Sequence, residues 1–337
     1  MHVELGVGMM APQRLGQDPR EREVIAYDDG AVADHAPGPS GLRALPRAAI
    51  ADRAPQRPYP TNALPRRPRA SGVGNVERVR DWGRIAWEDL EAVVPPRELW
   101  VGPDDPLVHF LRWIWEYRAY LVLLADLRAD SSVLELGCNH GRTMLGLLDY
   151  LKPPGRYEGL DIMPAQIDFA RREIQGRYPW FRFTLADVHN GAYNPTGTAS
   201  AETYRFPYGD AEFDVAYAAS LFTHLLPGAT RRYLLETARV LRRGGRCLYS
   251  FFVLDHYRGK GTSAAELYEF EHPVAGSPGV AVHNPDIPEQ VVGYERATVE
   301  RMAHEAGLAV KRVLPGFWST TESWTVNEQD LVLLERP

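Results

Sequence analysis

The chain has 337 residues, with 38 Lys and Arg against 44 Asp and Glu, a formal net charge of −6 and a hydrophobic fraction of 45%. This length allows one large domain or two ordinary ones, each able to bury a core without disulfides. The two cysteines are too few for a disulfide framework or a Cys-rich zinc site, which favours a reducing, cytoplasmic setting. No apolar run is long enough for a membrane span, and the first residues lack the basic and apolar pattern of a secretory signal.

Residues 1–75 differ in composition from the rest of the chain. They hold ten of the 27 prolines and sustain no apolar period, so we predict a disordered Pro/Arg-rich tail. Their ten arginines and eight acidic residues give a charge near +2, which leaves the remainder near −8. Because 35 of the 38 basic residues are arginine, as in GC-rich coding sequences, we also hypothesise that part of this tail is a wrongly assigned start. Tryptic peptides from its first 60 residues in the native protein would refute that hypothesis.

From residue 76 onward the pattern is globular. Residues 78–93 and 106–128 predict two helices, the second with an aromatic stripe that is more typical of a core than of a ligand cage. Beyond them short apolar strands alternate with helices, which predicts an α/β fold with a mostly parallel sheet. The Gly-, Pro- and Ser-containing stretch 257–285 is a predicted lid over the sheet edge. The predicted strands are 133–136, 157–161, 181–185, 213–218, 246–253, 309–314 and 330–334, and the predicted helices among them are 143–151, 164–175, 230–241 and 288–305.

The first strand leads into a loop with the sequence L-E-L-G-C-N-H-G-R, residues 134–142. Ligands of open α/β sheets bind at the carboxyl ends of the strands, and small residues there let the backbone approach them. The G-x-x-x-G spacing lacks the third glycine of the dinucleotide fingerprint. Asp161 ends the second strand, 24 residues after Gly137. A carboxylate at that place can accept both hydroxyls of a ribose, although an Asp that caps the next helix is the alternative.

Five segments in this order resemble the class I S-adenosylmethionine-dependent methyltransferases, over about residues 100–337. The loop is similar to that family's E/D-x-G-x-G-x-G motif, with Asn139 in place of the middle glycine, and Asn tolerates a positive φ better than most residues. Asp161 and Ile162 match the ribose-binding acid and the apolar residue beside the adenine, and Asp187 matches the residue that meets the adenine amino group. Residues 213–225 and 233–245 match the fourth strand and the approach to the fifth. The cofactor-binding residues that the resemblance implies are Glu135, Gly137, Cys138, Asn139, Gly141, Asp161, Ile162, Asp187, Val188 and Ser220.

The resemblance also implies an architecture and a reaction. We expect a Rossmann-like three-layer sandwich whose seven-stranded sheet is mostly parallel with an antiparallel last strand. Residues 76–337 would form the methyltransferase domain, with N-terminal helices at 78–128 and the lid at 257–285. S-adenosylmethionine would be the cofactor, and the reaction would be an in-line transfer of its sulfonium methyl group.

The sequence indicates the methyl acceptor and the catalytic base less directly than it indicates the cofactor. His224, six residues after the fourth strand, is the candidate base for a hydroxyl acceptor, and its alternative role is to fix the loop by hydrogen bonds. His140 is expected to face outward, and no histidine spacing suggests a metal site. The acidic folded part disfavours nucleic acid, so we expect a small-molecule or saccharide acceptor and a monomer or homodimer without a membrane partner. An NAD(P)-dependent oxidoreductase and a catalytically silent cofactor-binding module remain open alternatives.

Overall fold

The computed structural model describes residues 93–100, 107–257, 268–318, 325 and 327–337. All of them belong to one unit, Gly74–Pro337. The predicted tail, the predicted helix 78–93 except for its last residue, and residues 258–267 of the predicted lid lie outside the described residues. Among the described residues, no helix combines the length and the apolar character that crossing a membrane requires.

The sheet is mostly parallel, as predicted. Strands β3, β2, β1, β4 and β5 lie side by side in that order and run parallel, and β10 pairs antiparallel with both β5 and β9. This arrangement confirms the Rossmann-like sheet with an antiparallel last strand. The ten strands in the described part of the chain are β1 Ser132–Leu136, β2 Arg156–Asp161, β3 Phe181–Leu185, β4 Phe213–Ala218, β5 Leu241–Val253, β6 His272–Pro273, β7 Val280–Val282, β8 Val292–Tyr294, β9 Ala309–Leu314 and β10 Asp330–Glu335.

Helices cover both faces of the sheet because alternate side chains of each strand point in opposite directions. Leu134 of β1 belongs to an apolar cluster that also contains residues of the third and fourth helices. Its neighbour Val133 belongs to a second cluster, with residues of the first and second helices. The three layers therefore meet at β1, which is buried on both faces. The α-helices that lie within the described ranges are α1 Leu107–Leu124, α2 Pro164–Phe169, α3 Pro227–Val240 and α4 Arg296–Glu305.

The two predicted helices between β1 and β3 differ from the structure. Residues 143–151 form only a short 3-10 helix, Thr143–Leu147. A Cβ at Gly146 would lie 2.5 Å from the Ile114 carbonyl oxygen of α1, so the two segments pack in very close contact. We infer that this packing, and not the apolar pattern of the segment, determines its local conformation. Residues 164–175 are helical throughout, but α2 gives way to a π-helical segment at Ala170–Gln175.

The stretch before α4 is a second arm of the sheet. The predicted helix 288–305 begins only at Arg296, because the β-branched and aromatic residues of Val292–Tyr294 form β8. The described part of the predicted lid contributes β6 and β7, and β7 pairs antiparallel with β8. Strand β8 in turn pairs with the end of β5, so this part of the predicted lid extends the sheet. The arm accounts for the three strands beyond the seven that were predicted.

Candidate active site

The loop after β1 folds back on the end of β2. Gly137, Asn139 and Gly141 have φ values of 72°, 51° and 89°. The Gly137 N–H donates to the Leu160 carbonyl at 2.8 Å. A side chain at Gly137 would lie 3.2 Å from Cβ of Leu221, so only glycine leaves this approach open. Asn139 holds the left-handed conformation that its place in the motif demands, as the sequence predicted.

Asp161 holds this loop in place. Its side chain is 8% exposed. Its Oδ2 accepts the Asn139 N–H at 2.6 Å, and its Oδ1 accepts the Met163 N–H at 2.9 Å. Burial raises the pKa of Asp161, and these backbone donors oppose that rise. Each carboxylate oxygen retains lone-pair capacity, so Asp161 can accept two further hydrogen bonds, as a ribose diol requires.

Glu135 supports the same loop from behind. Its buried carboxylate accepts hydrogen bonds from the hydroxyls of Tyr157 at 2.5 Å, Tyr217 at 2.6 Å, and Thr143. Burial raises the pKa of Glu135 to about 7, and the three hydroxyl donors oppose that rise. Because Tyr157 belongs to β2 and Tyr217 to β4, this carboxylate ties the three central strands together just below the loop.

A cavity of about 650 Å³ opens at the carboxyl ends of these strands. Its size is within the range of small-molecule clefts. It brings together eight of the ten predicted cofactor-binding residues and the candidate base. These nine residues are Glu135, Gly137, Cys138, Asn139, Asp161, Ile162, Val188, Ser220 and His224.

The structure does not bring the other two predicted residues into the cavity wall. Gly141 lies behind the loop, where an added side chain would meet Ile174 at 3.1 Å. Asp187 is exposed, and its carboxylate accepts a hydrogen bond from the Thr198 hydroxyl at 2.5 Å. Its neighbour Val188 is 2% exposed and lines the cavity. Adjacent residues of an extended segment point to opposite sides, so the motif that marks Asp187 places Val188 inside.

His224 ends a short 3-10 helix, Phe222–His224, on the loop after β4. Its Nδ1 lies 2.8 Å from the Gln290 carbonyl oxygen and 3.3 Å from that of Glu289. Carbonyl oxygens only accept, so Nδ1 carries the proton and Nε2 keeps a lone pair. Burial lowers the pKa of His224, and the two carbonyls oppose that change. His224 therefore does fix a loop by hydrogen bonds, and it also retains a basic nitrogen.

The side chains around His224 include several that the sequence did not single out. The Tyr193 hydroxyl lies 3.4 Å from Nε2 of His224, and Asn190 holds the Tyr193 turn through a 3.0 Å bond from the Tyr193 N–H. A second cavity of about 410 Å³ shares five lining residues with the first, so His224 lies where the two meet. The shared residues are His189, Asn190, Ala201, His224 and Leu225.

His140 contradicts the expectation that it faces outward. It is 4% exposed, lines the main cavity and packs against Phe110, with ring centroids 5.8 Å apart. Its backbone N–H donates to the Asn139 side chain at 2.7 Å, which closes the turn and directs the ring inward. Burial, together with the nearby Arg142 guanidinium, lowers the pKa of His140 to about 3.

The aromatic stripe of α1 divides between core and cavity. Tyr117 is fully buried in the core, as the stripe was expected to be, whereas Trp113 lines the cavity with the Arg142 guanidinium 4.2 Å above its ring. Within the described residues, no group of three or more His, Cys, Asp or Glu side chains is placed to hold a metal ion. The cavity wall is thus built from backbone, carboxylate, imidazole and aromatic groups.

Part of the cavity wall lies in a segment that resembles a known family. A family model described as a methyltransferase domain matches residues 134–247. Phthiotriol/phenolphthiotriol dimycocerosates methyltransferase 1 of Mycobacterium ulcerans is 30% identical over 189 residues, which cover 56% of this chain and 58% of that protein. O-methyltransferase cnsE of Penicillium expansum is 29% identical over 127 residues, 37% of this chain and 39% of that protein. The chain thus spans less than two thirds of the length of these curated relatives.

A solved TehB-like SAM-dependent methyltransferase from Corynebacterium glutamicum is 14% identical, with a TM-score of 0.38, and covers 69% of this chain and 100% of that one. The segment matched by the family model runs from β1 into β5 and includes the glycine loop, Asp161 and His224. Residues 134–247 therefore match a methyltransferase domain, and this match agrees with the resemblance to the class I S-adenosylmethionine-dependent methyltransferases.

Proposed function

We propose that the protein transfers a methyl group from S-adenosylmethionine to a hydroxyl of a small-molecule acceptor, with His224 as the base. One observation carries this proposal: Nε2 of His224 keeps its lone pair, and His224 lines the same cavity as the glycine loop and Asp161. When bound, the cofactor supplies a methyl group that its positive sulfur has already activated. The tasks left to the protein are to align the acceptor, to take up its proton and to exclude water.

The residues of the loop fit the cofactor. Gly137 has no side chain, which leaves an open space at the loop. A Cβ added at this position would fill that space and lie 3.2 Å from Cβ of Leu221. The two carboxylate oxygens of Asp161 match the two hydroxyls of a ribose. Ile162 and Val188 add apolar surface to the cavity on the same side. These three features are the open loop backbone, the carboxylate of Asp161 and the apolar surface of Ile162 and Val188. Together they match the chemical groups of a nucleoside.

His224 is suited to take a proton from an acceptor hydroxyl. Its Nδ1–H is fixed on the Gln290 carbonyl, so the ring orientation and the tautomer are set before the acceptor arrives. Its lowered pKa leaves the imidazole neutral at pH 7, with Nε2 unprotonated and only a long 3.4 Å contact from the Tyr193 hydroxyl to it. Burial raises the pKa of Tyr193, so that hydroxyl stays protonated and acts beside Nε2 as a hydrogen-bond donor, not as a second base.

The lining favours a ring-containing small molecule, aromatic or saccharide. Trp113, Tyr193, Tyr268 and Phe317 line the cavity and supply flat faces on which rings stack. The charge of the chain beyond residue 75, near −8, opposes a nucleic-acid acceptor. The relative named as an O-methyltransferase supports transfer to oxygen. We place the reaction in the cytoplasm and expect a monomer or a homodimer.

A turnover screen tests the proposal. The full-length protein is incubated with S-adenosylmethionine and a panel of phenols, alcohols, saccharides and amines, and S-adenosylhomocysteine is measured by mass spectrometry. We expect product with at least one hydroxyl acceptor, bearing one added methyl on that oxygen. Turnover confined to acceptors without a hydroxyl would contradict the assignment of His224 as the base.

The two alternatives give different results. An NAD(P)-dependent oxidoreductase would bind NAD(P) in a calorimetric titration and not S-adenosylhomocysteine, whereas we expect the reverse. A silent cofactor-binding module would bind S-adenosylhomocysteine tightly and yet give no product with any member of the panel.

A further inference from the structure

Gln329, the residue just before β10, has a polar atom that the fold does not satisfy. The residue is 7% exposed and lines the main cavity. Its Nε2 donates to the Ser220 hydroxyl at 2.8 Å. Its Oε1 is buried and has no hydrogen-bond partner among the residues that the structure describes. Leaving a buried acceptor unpaired is costly, so a donor on a ligand is the natural partner for this oxygen.

The neighbours of Ser220 allow the orientation in which the amide oxygen of Gln329 is left without a partner. Ser220 has a φ of 60°, and its N–H donates to the Ser250 hydroxyl at 2.7 Å. Its own hydroxyl lies 3.3 Å from the Thr223 hydroxyl. Ser220 can direct its proton to Thr223 and accept from Gln329, which places the amide nitrogen on Ser220 and leaves the amide oxygen unpaired.

The order of the strands indicates which end of the cofactor comes here. Asp161 ends β2, the glycine loop follows β1, and Ser220 follows β4, and these three strands are neighbours in the order β2, β1, β4. A cofactor whose ribose binds Asp161 and which crosses the glycine loop brings its amino-acid end towards the turn after β4. That end carries an ammonium group, which donates hydrogen bonds and needs acceptors.

We propose that the amide oxygen of Gln329 accepts a hydrogen bond from the α-ammonium group of S-adenosylmethionine. Gln329 is then a cofactor-binding residue contributed by the start of β10, outside the segment that the family model matches. The assignment rests on the proposed binding mode with the ribose on Asp161. A hydrogen bond to a charged group has a larger effect than one between neutral groups, so its loss is measurable.

The test compares two ligands by calorimetry on the full-length protein. S-adenosylhomocysteine carries the amino-acid end, whereas 5′-methylthioadenosine has the same nucleoside and a sulfur without it. Gln329→Leu should lower the affinity for S-adenosylhomocysteine about 10- to 100-fold, which is the scale for losing a hydrogen bond to a charged group. The affinity for methylthioadenosine should change by less than about twofold. Gln329→Glu should retain affinity for S-adenosylhomocysteine, since a carboxylate also accepts from an ammonium. Unchanged methylthioadenosine binding shows that each variant is folded.

Two results would overturn the assignment: unchanged S-adenosylhomocysteine affinity in Gln329→Leu, or equal losses for both ligands in both variants. Asp161→Ala separates this failure from failure of the binding mode itself. Asp161→Ala should weaken the binding of both ligands, because both carry the ribose. If it weakens neither, the ribose is not on Asp161 and the wider proposal fails with it.

Discussion

The two sides of the cavity are built in different ways. One part, named the cofactor wall after its proposed ligand, consists of residues 135–140 at the end of β1 with Asp161 and Ile162 at the end of β2. The other side, the acceptor wall, consists of Asn190, Tyr193, His224 and Tyr268, which lie outside the β-strands. The carboxylates of the cofactor wall are already held by the protein's own donors, whereas the unprotonated Nε2 of His224 in the acceptor wall faces the Tyr193 hydroxyl across a long 3.4 Å contact. In the proposed function, the sheet therefore sets the geometry for the cofactor, and the connecting segments supply the chemistry for the acceptor.

The largest effect is expected on the acceptor wall, from His224→Gln. Losing the base should lower kcat for a hydroxyl acceptor about 10²- to 10⁴-fold, the usual range for general-base catalysis. Affinity for S-adenosylhomocysteine should stay nearly the same. Because burial lowers the pKa of His224 below its ordinary 6.5, wild-type kcat should fall at acidic pH with a midpoint below pH 6.5. Steady-state kinetics across this range, with calorimetry, checks both expectations.

His304→Gln is the matched control, because His304 is an exposed histidine on α4 that does not line the cavity. It should behave as wild type. A kcat for His224→Gln equal to that of the control would remove His224 from the chemistry and leave it only its hydrogen bonds to the Gln290 loop.

On the cofactor wall, Asp161→Ala should weaken S-adenosylhomocysteine binding by about 1–3 kcal/mol, the scale for lost hydrogen bonds of a buried charged group. The matched control is Asp187→Ala, since Asp187 is exposed and bonded to Thr198 outside the cavity. It should change the affinity less than about twofold. If calorimetry finds a larger loss of affinity in Asp187→Ala than in Asp161→Ala, Asp187 contacts the adenine as the sequence predicted. That result would contradict the placement of Asp187 outside the cavity.

The stability of the cofactor wall should depend on pH through two buried groups with opposite signs. His140 has a folded pKa of about 3 against 6.5, so below pH 6.5 the unfolded chain binds a proton that the folded chain does not, and stability falls as pH falls. Glu135 has a folded pKa of about 7 against 4.5, so between these values the folded chain binds the extra proton and stability rises as pH falls.

His140→Gln removes one of these two terms. As the pH falls from 6.5 to 4.5, the free energy of unfolding of the variant should increase relative to that of wild type. The increase should be up to about 1.4 kcal/mol for each pH unit. Urea unfolding of both proteins at several pH values measures this difference. A difference that does not vary with pH would show that His140 titrates alike in the folded and unfolded chains.

The smallest effect is expected at Asn139. Glycine adopts a φ of 51° without strain, and Asn139→Gly removes the side-chain bond to the His140 N–H and a weak 3.9 Å bond to the Met163 sulfur, so S-adenosylhomocysteine affinity should change by less than about 1 kcal/mol. Asn139→Val places a β-branched residue at the same positive φ and should weaken binding more. If Asn139→Gly weakens binding as much as Asp161→Ala, the Asn side chain itself contacts the cofactor.

The comparison of the two walls also shows what the sequence could predict. Most of the strands β1 to β5, β9 and β10 carry apolar runs, and Gly137 and Asp161 mark the carboxyl ends of β1 and β2, so the sheet and the cofactor wall were accessible to pattern and motif. The arm β6 to β8 was not, because strands of two or three residues show no periodicity. The helix predicted at 288–305 was wrong at its start for the same reason.

Side-chain direction was the second limit. Asp187 and Val188 are adjacent in the motif, and only the path of the chain after β3 decides that Val188 faces the cavity. His140 was predicted to face outward, yet its turn is closed by the Asn139 side chain and the ring is buried. The partners of His224 and Gln329 lie 66 and 109 residues away along the chain, so no local pattern could reveal them.

The most direct test of this account is a crystal structure of the full-length protein with S-adenosylhomocysteine. We predict both ribose hydroxyls within about 3.2 Å of the Asp161 carboxylate, the amino group on Oε1 of Gln329, and the sulfur facing the space lined by His224 and Tyr193. A ribose bound away from Asp161, or a sulfur directed to the side opposite His224, would contradict the proposed division of the cavity between cofactor and acceptor.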